Sequence, residues 1–164
     1  MQRKCHLLSA VLLMFVGIAH AQGKSNLSGI WKLNVGKSDY GMIPPPISRI
    51  DTIQQVGDSF KDTVDGEVQS GKEHYVLICT VDSKETAVPA DSPSSQLGQL
   101  NLLKIQASWE SNSLVIVETG KMMGMDVVSR SAYSLSASGK TLTVVSHTTL
   151  PMGDIAITMA FDKQ

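Results

Sequence analysis

From residue 103 onward, apolar and polar side chains alternate with a period of two, broken roughly every ten residues by short runs of Gly, Ser, Asn or Pro. Leu103, Ile105, Ala107 and Trp109 share one parity, and Glu110-Ser111-Asn112-Ser113 turns the chain into Leu114 to Glu118. Lys121-Met122-Met123-Gly124 separates that segment from Met125 to Leu135, where Val127, Ser129, Ser131, Tyr133 and Leu135 fall on one face. Ser136 to Gly139 turns again into Thr141 to Leu150, with Leu142, Val144, Ser146 and Thr148 aligned. Pro151-Met152-Gly153 leads to Asp154 to Phe161, with Ile155, Ile157, Met159 and Phe161 aligned. Successive side chains of a strand point to opposite faces, so each run predicts a strand with one face buried. No stretch of comparable length repeats every 3.6 residues, which disfavours a helical bundle or a βαβ fold.

The first half reads the same way with more interruptions. Gly29-Ile30-Trp31-Lys32-Leu33 puts Gly29, Trp31 and Leu33 on one face, and Asn34 to Tyr40 predicts a turn or short helical segment. Pro44-Pro45-Pro46 cannot sit inside a sheet and marks a stiff connection. Strands are expected over Ile47 to Val56 and Ser59 to Val64, with Asp65-Gly66 as a hairpin turn. Glu73 to Val81 predicts another strand, Val76, Ile78 and Thr80 on one face and Tyr75, Leu77, Cys79 and Val81 on the other. Lys84 to Val88 predicts a short edge strand, and Pro89 to Gln96 a surface loop. The expected fold is all-β and antiparallel, with about eight to ten strands in a closed or nearly closed barrel. Closure removes the exposed edges that an open sheet of this size must protect. Alternation alone does not separate a barrel from a two-sheet sandwich, which is the alternative.

The N-terminus follows a different logic. Arg3 and Lys4 precede the apolar run Leu7 to Ala19, and Ala19-His20-Ala21 places small residues where a signal peptidase reads. A removed secretory signal over residues 1–21 is expected, followed by one domain over 22–164 and a periplasmic or extracellular location. The run is too short to span a membrane, which needs about 20 residues, and Cys5 precedes it, badly placed for lipidation. Of the 14 Lys and Arg, Arg3 and Lys4 leave with the signal, so the remainder faces 15 Asp and Glu with a net charge of −3. A nucleic-acid binder normally carries a concentrated basic footprint, so no nucleic-acid partner is expected. Cys79 is then the single cysteine, and no internal disulfide can form.

The chemistry-bearing residues form no recognisable motif. His74 and His147 lie outside any short metal-ligand spacing, and His147 has the parity opposite to Val144, Ser146 and Thr148. There is no Gly-X-Ser-X-Gly elbow, no Cys-X-X-Cys pair, no dinucleotide fingerprint and no phosphate-binding loop. Cys79 is expected to be an inert buried thiol. Asp51, Asp58, Asp65, Glu67 and Glu73 are scattered on or near predicted turns and are expected to be solvated. No catalytic residue, cofactor or metal is singled out. The unusual feature is that Ser129, Ser131, Ser146 and Thr148 share parity with apolar neighbours: hydroxyls inside a barrel need partners, from backbone, solvent, or the water or ligand of a cavity.

Leu27-Ser28-Gly29-Ile30-Trp31-Lys32-Leu33-Asn34 with Lys37-Ser38-Asp39-Tyr40 resembles the opening of a group of small exported proteins of soil acidobacteria whose function is uncharacterised. Trp109-Glu110, Ser113 to Ile116, Tyr133 to Val144 and Phe161-Asp162-Lys163 follow in that group's order. Gly29-Ile30-Trp31 also resembles the Gly-X-Trp first strand of lipocalins, in which the tryptophan packs across the closed end of the barrel. That resemblance implies structural roles for Gly29 and Trp31, with Arg130 as counterpart of the arginine that covers the tryptophan. It also implies binding of a small apolar ligand in the barrel mouth. Trp109, Tyr133, Ser129, Ser131 and Ser146 are the candidate ligand contacts, with Met122, Met123 and Met125 as an adaptable rim.

Three functions predict three different interiors. A non-catalytic binding barrel predicts a cavity; a structural or interaction module predicts a filled core; an enzyme, such as a hydrolase or isomerase with a site assembled from distant strands, predicts converging polar groups with perturbed pKa values.

Overall fold

The computed structural model describes residues 24–164, so the expected signal segment lies outside the described residues. Among the described residues eleven strands are formed: β1 (Gly29–Leu33), β2 (Ser48–Val56), β3 (Ser59–Val68), β4 (Gly71–Thr80), β5 (Thr86–Ala87), β6 (Gln96–Leu97), β7 (Leu100–Glu110), β8 (Ser113–Met122), β9 (Met125–Leu135), β10 (Thr141–Leu150) and β11 (Gly153–Lys163). They belong to one antiparallel sheet in the order β4-β3-β2-β1-β11-β10-β9-β8-β7-β5, with β6 beside β7. A single sheet curled on itself excludes the two-sheet sandwich. The protein is a nearly closed all-β barrel, the expected one of the two architectures that the alternation allowed.

Closure is incomplete at one seam. β4 ends the sheet on one side and β7, the last long strand, is followed only by the two-residue β5 and β6; β4 and β7 approach each other without forming a ladder. Residues 81–99 bridge them: Ser83 N–H donates to the Ala107 carbonyl at 2.9 Å, and Ile78 N–H donates to Ser94 Oγ at 2.8 Å. The predicted edge strand shrinks to Thr86–Ala87, paired with Lys104 and Ile105.

Two local expectations are corrected. Asp65-Gly66 is not a turn, because β3 continues to Val68 and Gly66 pairs with Arg49 on one side and Glu73 on the other. A Cβ at Gly66 would lie 3.0 Å from the Ser48 carbonyl oxygen, so the glycine serves close approach within the ladder. Leu103 does not share a face with Ile105. A bulge between Leu102 and Lys104 inserts one residue, so Leu100 and Leu102 point inward before it and Ile105 and Ala107 after it. Leu103 is left 42% exposed. Gly120 lies opposite the bulge, where a Cβ would run into the Asn101 carbonyl.

The barrel has unlike ends. At one, the turns after Val56 and Glu110 gather with residues 24–28, tied down by Lys24 to Asp58 and Ser25 to Asn112. Leu27, Trp31, Phe60, Leu114, Leu142 and Phe161 are completely buried there or just inside. The Trp31 indole N–H donates to the Leu27 carbonyl at 2.9 Å, which satisfies its one polar atom. At the other end lie the turns after Val68, Met122 and Leu150 and the connection from β1 to β2. A single 3₁₀ turn, Val35–Lys37, starts that connection. Asp39 then exchanges both backbone hydrogen bonds with Thr158 at 2.7 Å, strapping the segment to β11. Among the described residues no helix is long and apolar enough to cross a membrane.

Candidate functional site

The inward faces of β2, β3, β4 and β6 to β11 leave a chamber of about 200 Å³ between the apolar closed end and the open end. Leu77, Leu97, Leu100, Val144, Ile157 and Met159 give it apolar walls. A wider vestibule of about 520 Å³ opens beyond it, bordered by Ile43, Pro44, Pro45 and Met122. Arg49, Tyr75, Leu97 and Ile157 line both spaces and lie where the two meet.

The polar lining follows from strand parity. Ser131 opposes Ser146 and Ser129 opposes Thr148 across the β9–β10 ladder, so the hydroxyls meet in pairs at 2.7 and 3.1 Å. These pairs answer the demand for partners that a buried hydroxyl makes, while each retains capacity toward the chamber. Glu118 continues the row, opposite Ser129 on β8. On the facing wall, Asp62 sits between Phe60 and Val64 on the inner face of β3 and is 1% exposed.

Arg49 and Asp51 form the chamber's ion pair. They are two residues apart on β2, hence on one face, and the guanidinium donates twice, Nε to Oδ1 at 2.7 Å and Nη2 to Oδ2 at 2.8 Å. The Arg49 guanidinium also lies 5.6 Å from the Phe161 ring centre and 5.9 Å from that of Tyr75. Such stacking holds the fork in place. The expectation that Asp51 is a solvated turn residue is corrected: it lies inside β2, is wholly buried, and owes its tolerance there to Arg49.

Asp62 has no cation of its own and meets the Asp51 carboxyl through a side-chain hydrogen bond. Its Oδ1 is buried without a hydrogen bond. Burial, reinforced by the neighbouring Asp51 charge and only partly offset by Arg49, pushes its carboxyl up to about 8. Burial likewise raises Glu118 to about 7, with Arg49 opposing. Tyr75 and Tyr133 are raised by burial and keep their protons. Burial pushes the Cys79 thiol up to about 12, which removes it as a nucleophile near neutral pH. Among the described residues no group of three or more His, Cys, Asp and Glu could hold a metal ion.

The structure brings together Ser129, Ser131, Tyr133 and Ser146, all on the chamber wall. Tyr133 meets Phe60 edge-on, with ring centres 5.7 Å apart. Met122 borders the vestibule, and Met123 is an 85% exposed turn residue at the open end. Met125 pairs with Met122 in that hairpin and borders neither space. Trp109 pairs with Leu114 near the opposite end and packs against the core rather than the chamber. Gly29 starts β1, and Trp31 spans the closed end. Arg130 faces outward and pairs with Glu110 at 2.6 Å, and the cation over the Trp31 ring is Lys163, 5.2 Å from its centre. His147 is exposed, and His74 pairs with Asp65 at 2.7 Å on the surface.

Arg49, Asp62 and Glu118 escaped sequence reasoning. Their signal was parity: Asp62 lies between Phe60 and Val64 in step, Glu118 follows Leu114 and Ile116, and Arg49 precedes Ile53.

No protein-family model matches the chain, and no curated protein matches it. Among solved structures it is similar to zebrafish ileal bile acid-binding protein complexed with cholic acid, with a TM-score of 0.54 and 16% identity over 84% of this chain and 98% of that one. A fatty-acid-binding protein from Manduca sexta covers 84% of this chain and 99% of its own at 15% identity, with a TM-score of 0.43. The fold is that of the lipocalin-like barrels, a curled antiparallel sheet with a hollow interior. Within that class its curl resembles that of the zebrafish protein.

Proposed function

We propose that this protein takes up a small, largely apolar molecule through the open end of its barrel and holds it without chemical change. The observation that carries this is the chamber inside the barrel, which shares Arg49, Tyr75, Leu97 and Ile157 with the vestibule at the open end. A structural module with a filled core has no use for such a space. The bile acid-binding neighbour supports interior binding as a use of this fold. Converging acids also suit an enzyme, yet Asp62 and Glu118 are raised together rather than split into one acid and one base. In this reading Ser129, Ser131, Tyr133 and Ser146 contact the ligand and Met122 borders its path.

Uptake of a neutral naphthylamine dye by the purified protein, read as enhanced fluorescence, tests the proposal. Val144→Trp fills the chamber and abolishes the enhancement while the fold, followed by circular dichroism, is kept. Unchanged uptake by that variant sinks the proposal.

We further propose that the chain is exported and belongs with the small acidobacterial proteins whose motif order it shares. The ordered segments from Leu27 to Lys163 and the signal-like residues 1–21 support this. The N-terminal sequence of protein recovered outside the cytoplasm is expected to begin at Gln22; an intact Met1 in that fraction overturns it.

A further inference from the structure

The charge balance of the chamber indicates which chemistry it accepts. Arg49 is the only cation on its wall among the described residues, and the buried Asp51 already takes a bidentate pair from it. Asp62 and Glu118 remain as acids without a cation of their own. Asp62 is 1% exposed, lines the chamber, and has a buried oxygen with no donor. A carboxylate ligand would have to draw Arg49 from Asp51, stranding a buried anion, and would face two further acids. An ammonium group offers donors alone and supplies what both acids lack.

We infer that the chamber receives the protonated amine of a small amphiphile, its N–H groups shared by Asp62 and Glu118 and its apolar body against Leu77, Leu97 and Leu100. The inference rests on the barrel interior being the binding site, as proposed above. A cavity of about 150 Å³ accommodates benzene, so a chamber of about 200 Å³ suits a single-ring or short-chain amine.

The groups facing Asp62 are Arg49 and Asp51 on β2, Tyr75 on β4, Glu118 on β8 and Tyr133 on β9. Glu118 also acts on Cys79 and is opposed by Arg49, and Glu73 lines the vestibule beside Tyr75. β10 and β11 present Ser146, Thr148, Ile157 and Met159, none of which titrates. The phenols and the thiol stay protonated near neutral pH, so Asp62 and Glu118 set the chamber's variable charge. Burial favours their neutral forms in the empty chamber, and an ammonium favours the carboxylates. Amine binding therefore releases protons and tightens as pH rises through the values of these two acids.

Calorimetric titration of the protein with phenethylamine, phenethyl alcohol, phenylpropionate and ethylbenzene tests this. At about pH 8.5 the amine is expected to bind about tenfold or more tightly than the alcohol, a difference that fades by about pH 5.5. Asp62→Asn and Glu118→Gln should each lower amine affinity about tenfold more than alcohol affinity. Should either variant fail to fold, proton release by the unmodified protein, measured in buffers of different ionisation heat, decides. Equal or tighter binding of phenylpropionate or the alcohol, or amine affinity flat with pH, overturns the amine assignment and leaves interior binding standing. If none of the four binds, ethylbenzene included, the binding proposal falls and the amine assignment with it.

Discussion

At the closed end of the barrel, Leu27, Trp31, Phe60, Leu114, Leu142 and Phe161 are sealed from water and make one apolar cluster. A few residues further along the same strands, the inner face carries Arg49, Asp51, Asp62, Glu118 and a row of hydroxyls around unfilled space. Both regions have the same ladders and the same parity, so backbone geometry does not distinguish them. The difference is in what the inward positions carry. Apolar burial contributes roughly 25 cal/mol per Å² and asks for no partner. A buried polar group stabilises only where each donor and acceptor is matched. The closed end therefore holds the barrel together, and the chamber end gives up some of that stability to keep unmatched acids available.

Four perturbations would sharpen or break this division. The largest is Trp31→Ala, expected to destabilise the protein by about 3–5 kcal/mol in urea unfolding. A loss below about 1 kcal/mol would mean that the closed end is not the stabilising half. Arg49→Met should cost about 3 kcal/mol by leaving Asp51 buried without its cation. The double change Arg49→Met, Asp51→Leu should recover much of that loss, and no recovery would show that the cost lies in packing.

A pH series comes next. Asp62 and Glu118 hold their protons more tightly in the folded protein than at their ordinary values of 3.8 and 4.5. The stabilisation this linkage gives is complete below pH 3.8 and is lost as pH rises through about 7 and about 8. The ligand-free protein is expected to lose stability steadily across this window, and Asp62→Asn should flatten most of the decline. Stability that instead climbs across this window would place the carboxylates in an environment that favours their charge. The smallest effect is Ser131→Ala, about 0.5–1.5 kcal/mol, since Ser146 loses one hydrogen bond but still faces the chamber. A loss as large as that of Trp31→Ala would erase the distinction between the two regions.

The legibility of the sequence divides along related lines. Met125 to Leu135 and Thr141 to Leu150 were readable to the residue, because each has one dry face and the Ser136 to Gly139 turn interrupts them clearly. Gly66 misled because glycine marks both turns and close approaches, and only the neighbouring strand, not yet in place along the sequence, decides which. Leu103 misled because a bulge shifts parity without any local marker. At the site, the hydroxyl row announced itself through its shared parity with apolar residues. Asp62 and Glu118 carry the same mark, but a carboxylate is ordinarily a surface residue, and that prior concealed them. Asp51 was hidden likewise, its partner Arg49 being adjacent in step yet recognisable as a pair only once their common face is known to be inward.

The pairing of β1 with β11 has a consequence for how the molecule assembles. Residues 29–33 pair with β2 on one side and find their other partner more than a hundred positions later, with Trp31 opposite Lys163 and Leu33 opposite Phe161. The hairpins from β2 onward can form from near neighbours as they become available, but the ring cannot close until β11 arrives. Loop closure on this scale slows folding. A chain interrupted before Phe161 would have its hairpins and lack its seal, with Trp31 short of one wall of its cluster. The contact that completes the barrel is thus the one most distant in sequence, which makes joining β1 to β11 the expected slow step of folding.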